Sequence, residues 1–246
     1  MRYLILSDLH ANLEALEAVA ADARGRYDEV LCLGDVVGYG ADPNAVTEWT
    51  RANARVTVRG NHDRACTGQV DLSWFNPMAQ AAVVWTDRML TPENHVWLKE
   101  LPQGPLEVAG FQLVHGAPAD EDQYVLNNED AWLASKCCTT KVTFFGHTHV
   151  QGGFEFRGRR VIKIEKPSRQ DPERVLEFGQ ADRYLVNAGS VGQPRDRDPR
   201  AAYALYDPDE PRIVFRRVEY DLAKAQRKIR DASLPGVLAD RLADGR

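Results

Sequence analysis

The feature that most constrains the fold is a short apolar run followed at once by a polar turn, which recurs along the chain. Residues 2–6, 30–33 and 55–59 are such runs, and their length indicates buried strands. Apolar residues at helical spacing follow Asn12, and a second helix is expected over residues 44–51. The order is therefore β-α-β-α-β. Because open α/β sheets bind ligands at the carboxyl ends of their strands, the polar turns mark the expected site.

The rest of the chain extends this alternation. The remaining predicted elements are a mostly helical segment over 65–101, strands over 106–114 and 141–145, a hairpin over 154–164, paired strands over 202–206 and 212–218, and a charged helical tail from residue 222. No internal repeat, low-complexity tract or linker divides the sequence. We therefore expect a single domain over residues 1–246, an α/β fold with two packed sheets and helices outside.

Charge and cysteine content exclude several classes of protein. The 246 residues carry 31 Lys and Arg against 36 Asp and Glu, a net charge of −5, so the basic footprint of a dedicated nucleic-acid binder is absent. No stable nucleic-acid complex is expected. The 4 cysteines form no C-x-x-C pair. The first apolar run is too short for a secretory segment, and no run is long enough to span a membrane. We expect a cytoplasmic protein with no membrane contact; its oligomeric state stays open.

The polar turns are rich in side chains that bind metal ions. The candidate ligands are Asp8, His10, Asp35, Asn61, His115, His147 and His149. In the two Asp/His-x-His pairs the donors are two residues apart, so on a strand they share a face and reach one ion. Mixed carboxylate, amide and imidazole donors suit Mn²⁺, Fe or Zn²⁺. Seven donors exceed one tetrahedral site but fit two ions about 3.5–4 Å apart that share a carboxylate, clamp a phosphoryl group and generate hydroxide from a bridging water.

These donors fall in five motifs with a fixed order. The motifs are Asp8-x-His10, Gly34-Asp35, Gly60-Asn61-His62-Asp63, Val114-His115 and Gly146-His147-Thr148-His149. In this order they resemble the calcineurin-like metallophosphoesterase superfamily. Residues 7–13, 34–40 and 187–195 are similar to its small bacterial and archaeal phosphodiesterase branch. The resemblance implies a four-layer α/β/β/α sandwich with two mixed sheets and a dimetal site at the carboxyl ends of the strands.

The resemblance also implies a role for each residue of the site. One metal would be bound by Asp8, His10 and His149, and the other by Asn61, His115 and His147. Asp35 would bridge the two ions. His62 would be catalytic without binding metal, because it would lie over the substrate and donate a proton to the leaving oxygen or stabilise the phosphoryl charge. We expect two divalent ions, manganese first, with iron or zinc as alternatives.

One departure from the family narrows the substrate. The superfamily's protein phosphatases have an Asp-Arg pair after the Gly-Asp motif, where this chain has Gly38 and Tyr39. The resemblance therefore disfavours a phosphoprotein substrate and favours a phosphodiesterase that hydrolyses a small phosphoester or nucleotide. What orients His62 is left open between Asp63 and a main-chain group. The alternatives are a dinucleoside polyphosphate hydrolase and, in a different class, a binding scaffold that has lost catalysis.

Two polar residues and one aromatic pair are candidate contacts for the substrate. Asn12 begins a helix and is either an N-cap or a contact to an anion. Arg195 is either a phosphate ligand or part of a solvated charged loop. Trp74 and Phe75 are either core anchors or an aromatic wall for a nucleobase, and we expect them in the core.

Overall fold

The computed structural model describes residues 1–246 and contains twelve strands and eight α-helices. The strands are β1 (Tyr3–Leu6), β2 (Glu29–Cys32), β3 (Ala54–Thr57), β4 (Leu106–Val108), β5 (Phe111–Leu113), β6 (Val142–Phe145), β7 (Gly152–Arg157), β8 (Arg160–Ile164), β9 (Glu173–Glu177), β10 (Arg183–Asn187), β11 (Ala201–Tyr206) and β12 (Arg212–Val218). The helices are α1 (Leu13–Asp22), α2 (Pro43–Asn53), α3 (Asn61–Ala65), α4 (Pro77–Met89), α5 (Pro92–Lys99), α6 (Asn128–Ser135), α7 (Leu222–Asp231) and α8 (Gly236–Asp244).

The strands form two mixed six-stranded sheets. The first has the order β3-β2-β1-β11-β12-β9, and the second has the order β4-β5-β6-β10-β7-β8. Strands β1, β2 and β3 run parallel, as do β5, β6 and β10, whereas the remaining pairs are antiparallel. Each sheet therefore has a parallel half, and the candidate site lies where the parallel halves end.

Strand β1 shows why the first apolar run has no alternation. Tyr3 and Ile5 pack between the two sheets, with side chains of the second sheet such as Phe144. Leu4 and Leu6 point the other way and pack beneath the helices that cover the first sheet. A strand buried on both faces is apolar at every position. A third cluster joins the outer face of the second sheet to α6, so the layers are helix, sheet, sheet, helix as the family resemblance implies.

The helix starts follow the predicted signals. The side chain of Asn12 accepts a hydrogen bond from the N–H of Ala15 and begins α1. Thr91 caps α5, which has a proline at its first position. The mostly helical prediction for residues 65–101 is wrong over residues 66–76, which contain only a 3₁₀ turn at Leu72–Trp74. Asn76 precedes a proline and is held extended, with ψ of 159°, because the ring of the next residue disfavours helical geometry there.

The charged tail forms a helical hairpin, α7 and α8, that packs on α1. Ion pairs fasten it at one point: Lys228 Nζ lies 2.6 Å from the carboxylate of Glu14 on α1 and 2.8 Å from that of Asp42 before α2. Buried Ile229 and Leu238 add apolar contact. None of the helices combines the length and apolar character that crossing a membrane requires.

Candidate metal centre

The structure brings the seven candidate ligands together at facing ends of the two sheets. Asp35 stands at the centre: its Oδ2 lies 3.5 Å from His10 Nε2 on one side and 3.5 Å from His115 Nε2 on the other. Asp8, His10, Asp35 and His149 form one cluster of potential ligand atoms, and Asp35, His115 and His147 form a second. The Oδ1 of Asn61 joins the second cluster, 3.2 Å from His115 Nε2. Two clusters that share one carboxylate have the layout of a dinuclear centre.

Main-chain carbonyls fix the orientation of all four imidazoles. The acceptors are Val37 for His10 Nδ1 (3.1 Å), Gln193 for His149 Nδ1 (2.6 Å), Leu33 for His115 Nδ1 (2.8 Å) and Asp122 for His147 Nε2 (3.0 Å). A carbonyl only accepts, so the ring nitrogen that faces it carries a proton. The other nitrogen of each ring then points into the site. Such outer hydrogen bonds are characteristic of metal-binding histidines.

Two further observations test whether this donor set fits cations. His10 Nε2 and His149 Nε2 face each other at 3.1 Å, and neither carries a proton, because each ring donates from Nδ1 and burial holds both pKa values well below the ordinary range. Lone pairs this close repel unless a cation joins them. In addition, Asp8 Oδ2 and Asp35 Oδ2 are buried without a hydrogen-bond partner. Buried carboxyl oxygens require a partner, so the residues fit a pair of divalent ions.

Two carboxyl groups and one imidazole of the site have strongly shifted pKa values. Burial raises the pKa of Asp8 to about 7. At Asp35 burial acts in the same direction, but His115 and His62 outweigh it and hold the pKa well below its usual range. Burial lowers the pKa of His115, yet the Asp35 carboxylate outweighs burial and raises the pKa to about 10. That proton occupies the nitrogen that faces Asp35, so a cation bound there would displace it.

The backbone of the site is strained. Asp8, His10, Asp35, His147 and His149 all have positive φ, between 46° and 64°. Residues other than glycine rarely adopt this region, which costs on the order of 1–3 kcal/mol at each position. Five of the seven candidate ligands thus have a geometry that the surrounding structure must impose, and strain of this kind concentrates at functional sites.

Asp63 holds the loop that carries Asp35. Its carboxylate accepts hydrogen bonds at 2.9–3.2 Å from the main-chain N–H groups of Gly60, Asp35, Val36 and Val37. The carboxylate is thereby fully engaged with the main chain and does not orient the ring of His62. The sequence motif contains Asp63, but only the folded loop shows this use of it.

Packing orients His62. Its ring centroid lies 4.4 Å from that of Tyr39 and 5.2 Å, edge-on, from that of Phe75. Nδ1 is buried without a hydrogen-bond partner, and burial lowers the pKa of His62 to about 4. The main-chain N–H of His62 donates to Asp35 Oδ1 at 2.9 Å. The residue is therefore tied to the central carboxylate while aromatic rings set the plane of its imidazole, and Gly38 leaves the space that the ring occupies.

A cavity of about 220 Å³ opens beside the centre. Its walls include Asn61, His62 and His147, together with Trp74, Phe75 and Tyr124. The ring of Tyr124 stacks on that of His147 with centroids 4.0 Å apart. The expectation that Trp74 is a core anchor is wrong, because the residue is 82% exposed at the cavity rim. It ends the 3₁₀ turn that replaces the predicted helix. Phe75 is half-buried and packs against the core.

The two other candidate contacts differ from each other. Asn12 has both side-chain polar atoms engaged inside the protein: Oδ1 caps α1, and Nδ2 donates to the carbonyl of Gly192 at 2.9 Å. It therefore offers no unpartnered polar group, and its contact with substrate stays an untested prediction. Arg195 follows β10 and reaches Tyr39, with Nη2 at 3.4 Å from the hydroxyl. It stands beside the centre with no carboxylate partner.

Comparison with known proteins agrees with this geometry. A sequence model of the calcineurin-like phosphoesterase superfamily domain matches residues 1–210, and the chain belongs to this superfamily. Membership of this superfamily and the two clusters of potential ligands together indicate a divalent dimetal site and a phosphoester hydrolase.

Relatives cover the whole chain. It is 34% identical over 246 residues to protein MJ0912 of Methanocaldococcus jannaschii, and the aligned region covers 98% of this chain and 97% of that protein. The crystal structure of a metallophosphoesterase from Sphaerobacter thermophilus superposes with a TM-score of 0.87 at 41% identity, covering 100% of this chain and 99% of that one. Protein PH1004 of Pyrococcus horikoshii shares the fold, with a TM-score of 0.79 at 18% identity, covering 100% of this chain and 98% of that one.

Proposed function

We propose that this protein is a manganese-dependent phosphodiesterase that hydrolyses a small phosphoester or nucleotide, with residues 1–246 acting as one unit. The observation that carries the proposal is the position of Asp35, whose Oδ2 is equidistant, at 3.5 Å, from one histidine of each cluster. A carboxylate placed in this way can bridge two cations. Two bridged cations suit phosphoester hydrolysis because the substrate brings several anionic oxygens to one place.

Each residue then has a defined task. We assign Asp8, His10 and His149 to the first ion and Asn61, His115 and His147 to the second, with Asp35 shared. When bound, the ions supply positive charge against the phosphate and activate water for attack. The protein fixes these ligands before substrate arrives, because main-chain carbonyls hold the imidazoles and Asp63 holds the Asp35 loop. Such preorganised electrostatics is the main contribution a protein makes to this chemistry.

His62 is the proposed catalytic residue that binds no metal. It borders the cavity beside the centre, and its imidazole lies on the substrate side, between Tyr39 and Phe75. From there the neutral ring donates a hydrogen bond to the phosphoryl group, and the protonated fraction that its low pKa leaves donates a proton to the leaving oxygen. The hydrogen bond from its main chain to Asp35 keeps the ring in register with the centre.

The test is hydrolysis of a substrate panel by the purified protein, with Mn²⁺ and with chelator. The panel contains bis-p-nitrophenyl phosphate, p-nitrophenyl phosphate, cyclic nucleotides, dinucleoside tetraphosphates and single-stranded DNA. We expect Mn²⁺-dependent cleavage of the diester in preference to the monoester, and loss of both activity and bound metal in Asp35→Asn. Preference for the monoester would contradict the diesterase assignment. Absence of all hydrolysis would favour the scaffold alternative.

Dinucleoside polyphosphate hydrolysis is the second candidate function. The observation in its favour is Arg195, a cation beside the centre that has no acidic partner and so has capacity for a further phosphate. A solved putative diadenosine tetraphosphatase shares the fold, with a TM-score of 0.50 at 14% identity. Faster cleavage of dinucleoside tetraphosphates than of diesters in the panel would make this the principal activity.

A further inference from the structure

Two arginines from distant parts of the chain converge on Tyr39. Arg195 lies in the loop after β10, and Arg241 lies on α8 of the C-terminal hairpin. Their guanidinium carbons are 5.7 Å and 5.9 Å from the centroid of the Tyr39 ring. That ring is in turn 4.4 Å from the ring of His62 and 4.7 Å from that of His10. The C-terminal hairpin therefore brings a positive charge to the edge of the candidate metal centre.

Neither arginine is paired with an aspartate or glutamate side chain. Arg195 Nη2 contacts the Tyr39 hydroxyl at 3.4 Å and Gln193 Oε1 at 3.2 Å, and its Nε is buried with no hydrogen-bond partner at all. Arg241 uses Nε to reach the main-chain oxygen of Arg246 at 2.6 Å, which leaves its terminal nitrogens unengaged. Arg200, which is similarly half-buried, is paired with Asp198 at 2.6 Å.

Close, partly buried like charges are unfavourable unless an anion joins them. The pKa of Arg241 is lowered, first by burial and next by the charge of Arg195, which agrees with the position of both groups against the ring of Tyr39. Planar guanidinium groups bind phosphate through paired hydrogen bonds. The two arginines thus have the chemistry and the free donors of a phosphate site.

We propose that Arg195 and Arg241 form a second anion subsite, which binds a phosphate of the substrate next to the one that is cleaved. The inference rests on the proposed function and narrows its substrate class to compounds with at least two linked phosphates. Helix α8 lies beyond residues 1–210, which the family model matches. Arg241 is therefore the contribution of the C-terminal hairpin to the subsite, and Lys228 fastens that hairpin to Glu14 and Asp42.

The test is isothermal titration calorimetry of the manganese-loaded protein with inorganic phosphate and with methylenediphosphonate, a non-hydrolysable diphosphate. The wild type should bind the diphosphonate more tightly. Arg241→Gln keeps much of the side chain over Tyr39 and removes the charge, and it should reduce the ratio of the two affinities about tenfold, as expected for loss of one charge-assisted contact. Arg195→Gln should reduce the ratio similarly. Arg227→Gln, at an exposed position of α7, removes the same charge and is the matched control.

Three outcomes are decisive. A reduced ratio in both subsite variants, with no change in the control, supports the subsite. A wild type without preference for the diphosphonate, or subsite variants that behave like Arg227→Gln, overturns it, even if diester hydrolysis is normal. A protein that prefers the diphosphonate and hydrolyses no ester in the panel retains the subsite and loses the proposed function.

Discussion

The main chain of Gly38 lies against the imidazole of His62 so closely that a Cβ atom at position 38 would stand 2.6 Å from Nδ1. Gly38 also has φ of +91°, a conformation that side chains disfavour. The family resemblance implies an acidic side chain at this position in the protein phosphatases of the superfamily. In this chain there is no space for one, and the ring of His62 is placed by contact with Tyr39 and Phe75.

Gly38→Ala should slow turnover while metal binding is retained. The added methyl group displaces the ring of His62, and misplacement of a group of this kind by about 1 Å can cost roughly 10²-fold in rate. Metal content by elemental analysis and kcat on bis-p-nitrophenyl phosphate are the measurements. Gly68→Ala is the matched control, because Gly68 has φ of +71° with nothing within 4 Å. Equal effects in the two variants would mean that strain, and not the contact with His62, is responsible.

His62→Ala should reduce kcat by about 10²–10⁴-fold, the usual contribution of a histidine that donates a proton or hydrogen bond in the transition state. Its manganese content should match the wild type, because His62 belongs to neither ligand cluster. Steady-state kinetics together with elemental analysis check both parts. His95→Ala removes a surface histidine of α5 that contacts Asp87 at 3.3 Å, and it serves as the comparison. A fully active His62→Ala protein would refute the catalytic assignment.

Glu14→Gln should destabilise the protein at neutral pH and leave it unaffected in acid. Burial raises the pKa of Glu14, but the ion pairs with Lys228 and Lys224 outweigh burial and lower it. A carboxyl whose folded pKa is depressed contributes stability above its unfolded pKa, about 4.3, and loses that contribution as the pH falls through the folded pKa.

Urea unfolding across pH 3–8 tests this direction of the pH dependence of stability. The difference between wild type and Glu14→Gln should be about 1–3 kcal/mol at pH 7 and should shrink below about pH 4. Glu210→Gln removes an exposed ion pair, 2.7 Å from Arg212, and should cost less than about 0.5 kcal/mol. A difference that is constant with pH would show that packing, and not charge, fastens the C-terminal hairpin.

Trp74→Ala should weaken nucleotide binding and leave stability unchanged. The ring is 82% exposed at the rim of the cavity, so it adds little to the core but offers a face for a base. Stacking of one base is worth about 1–3 kcal/mol, which predicts a rise of roughly tenfold in KM for nucleotides relative to methyl p-nitrophenyl phosphate. Trp85→Ala should lower stability and leave nucleotide binding unchanged, because Trp85 packs against the cluster that α4 forms with the C-terminal hairpin. A lowered melting temperature in Trp74→Ala would restore the core interpretation.

Local sequence signals predicted the part of the site that depends on strand periodicity. Asp8, Asp35 and His115 each follow a short buried run, so they were expected at strand ends, and the parallel pairing of β1 with β2 places the first two side by side. Helix starts at Asn12 and Thr91 were likewise predictable, because an N-cap is a property of adjacent residues.

What escaped prediction depends on contacts between distant segments. The 3₁₀ turn that exposes Trp74 and the aromatic contact that orients His62 result from loops meeting across the sheet ends. Arg241 is 46 residues beyond Arg195 in sequence, and only the packing of the hairpin on α1 brings it to Tyr39. The positive φ angles of the ligands have no sequence signature either, because strain of this kind is imposed by the fold.

Peptide oxygens, and not side chains, dictate which nitrogen each of the four histidines presents. No single substitution at Val37, Leu33, Asp122 or Gln193 deletes such an oxygen. The tautomers are thus buffered against point mutation, whereas the surrounding rim is built from side chains that mutation alters freely. Substitutions at the rim can therefore change which substrate binds over evolutionary time, while the nitrogens that face the metal site stay the same.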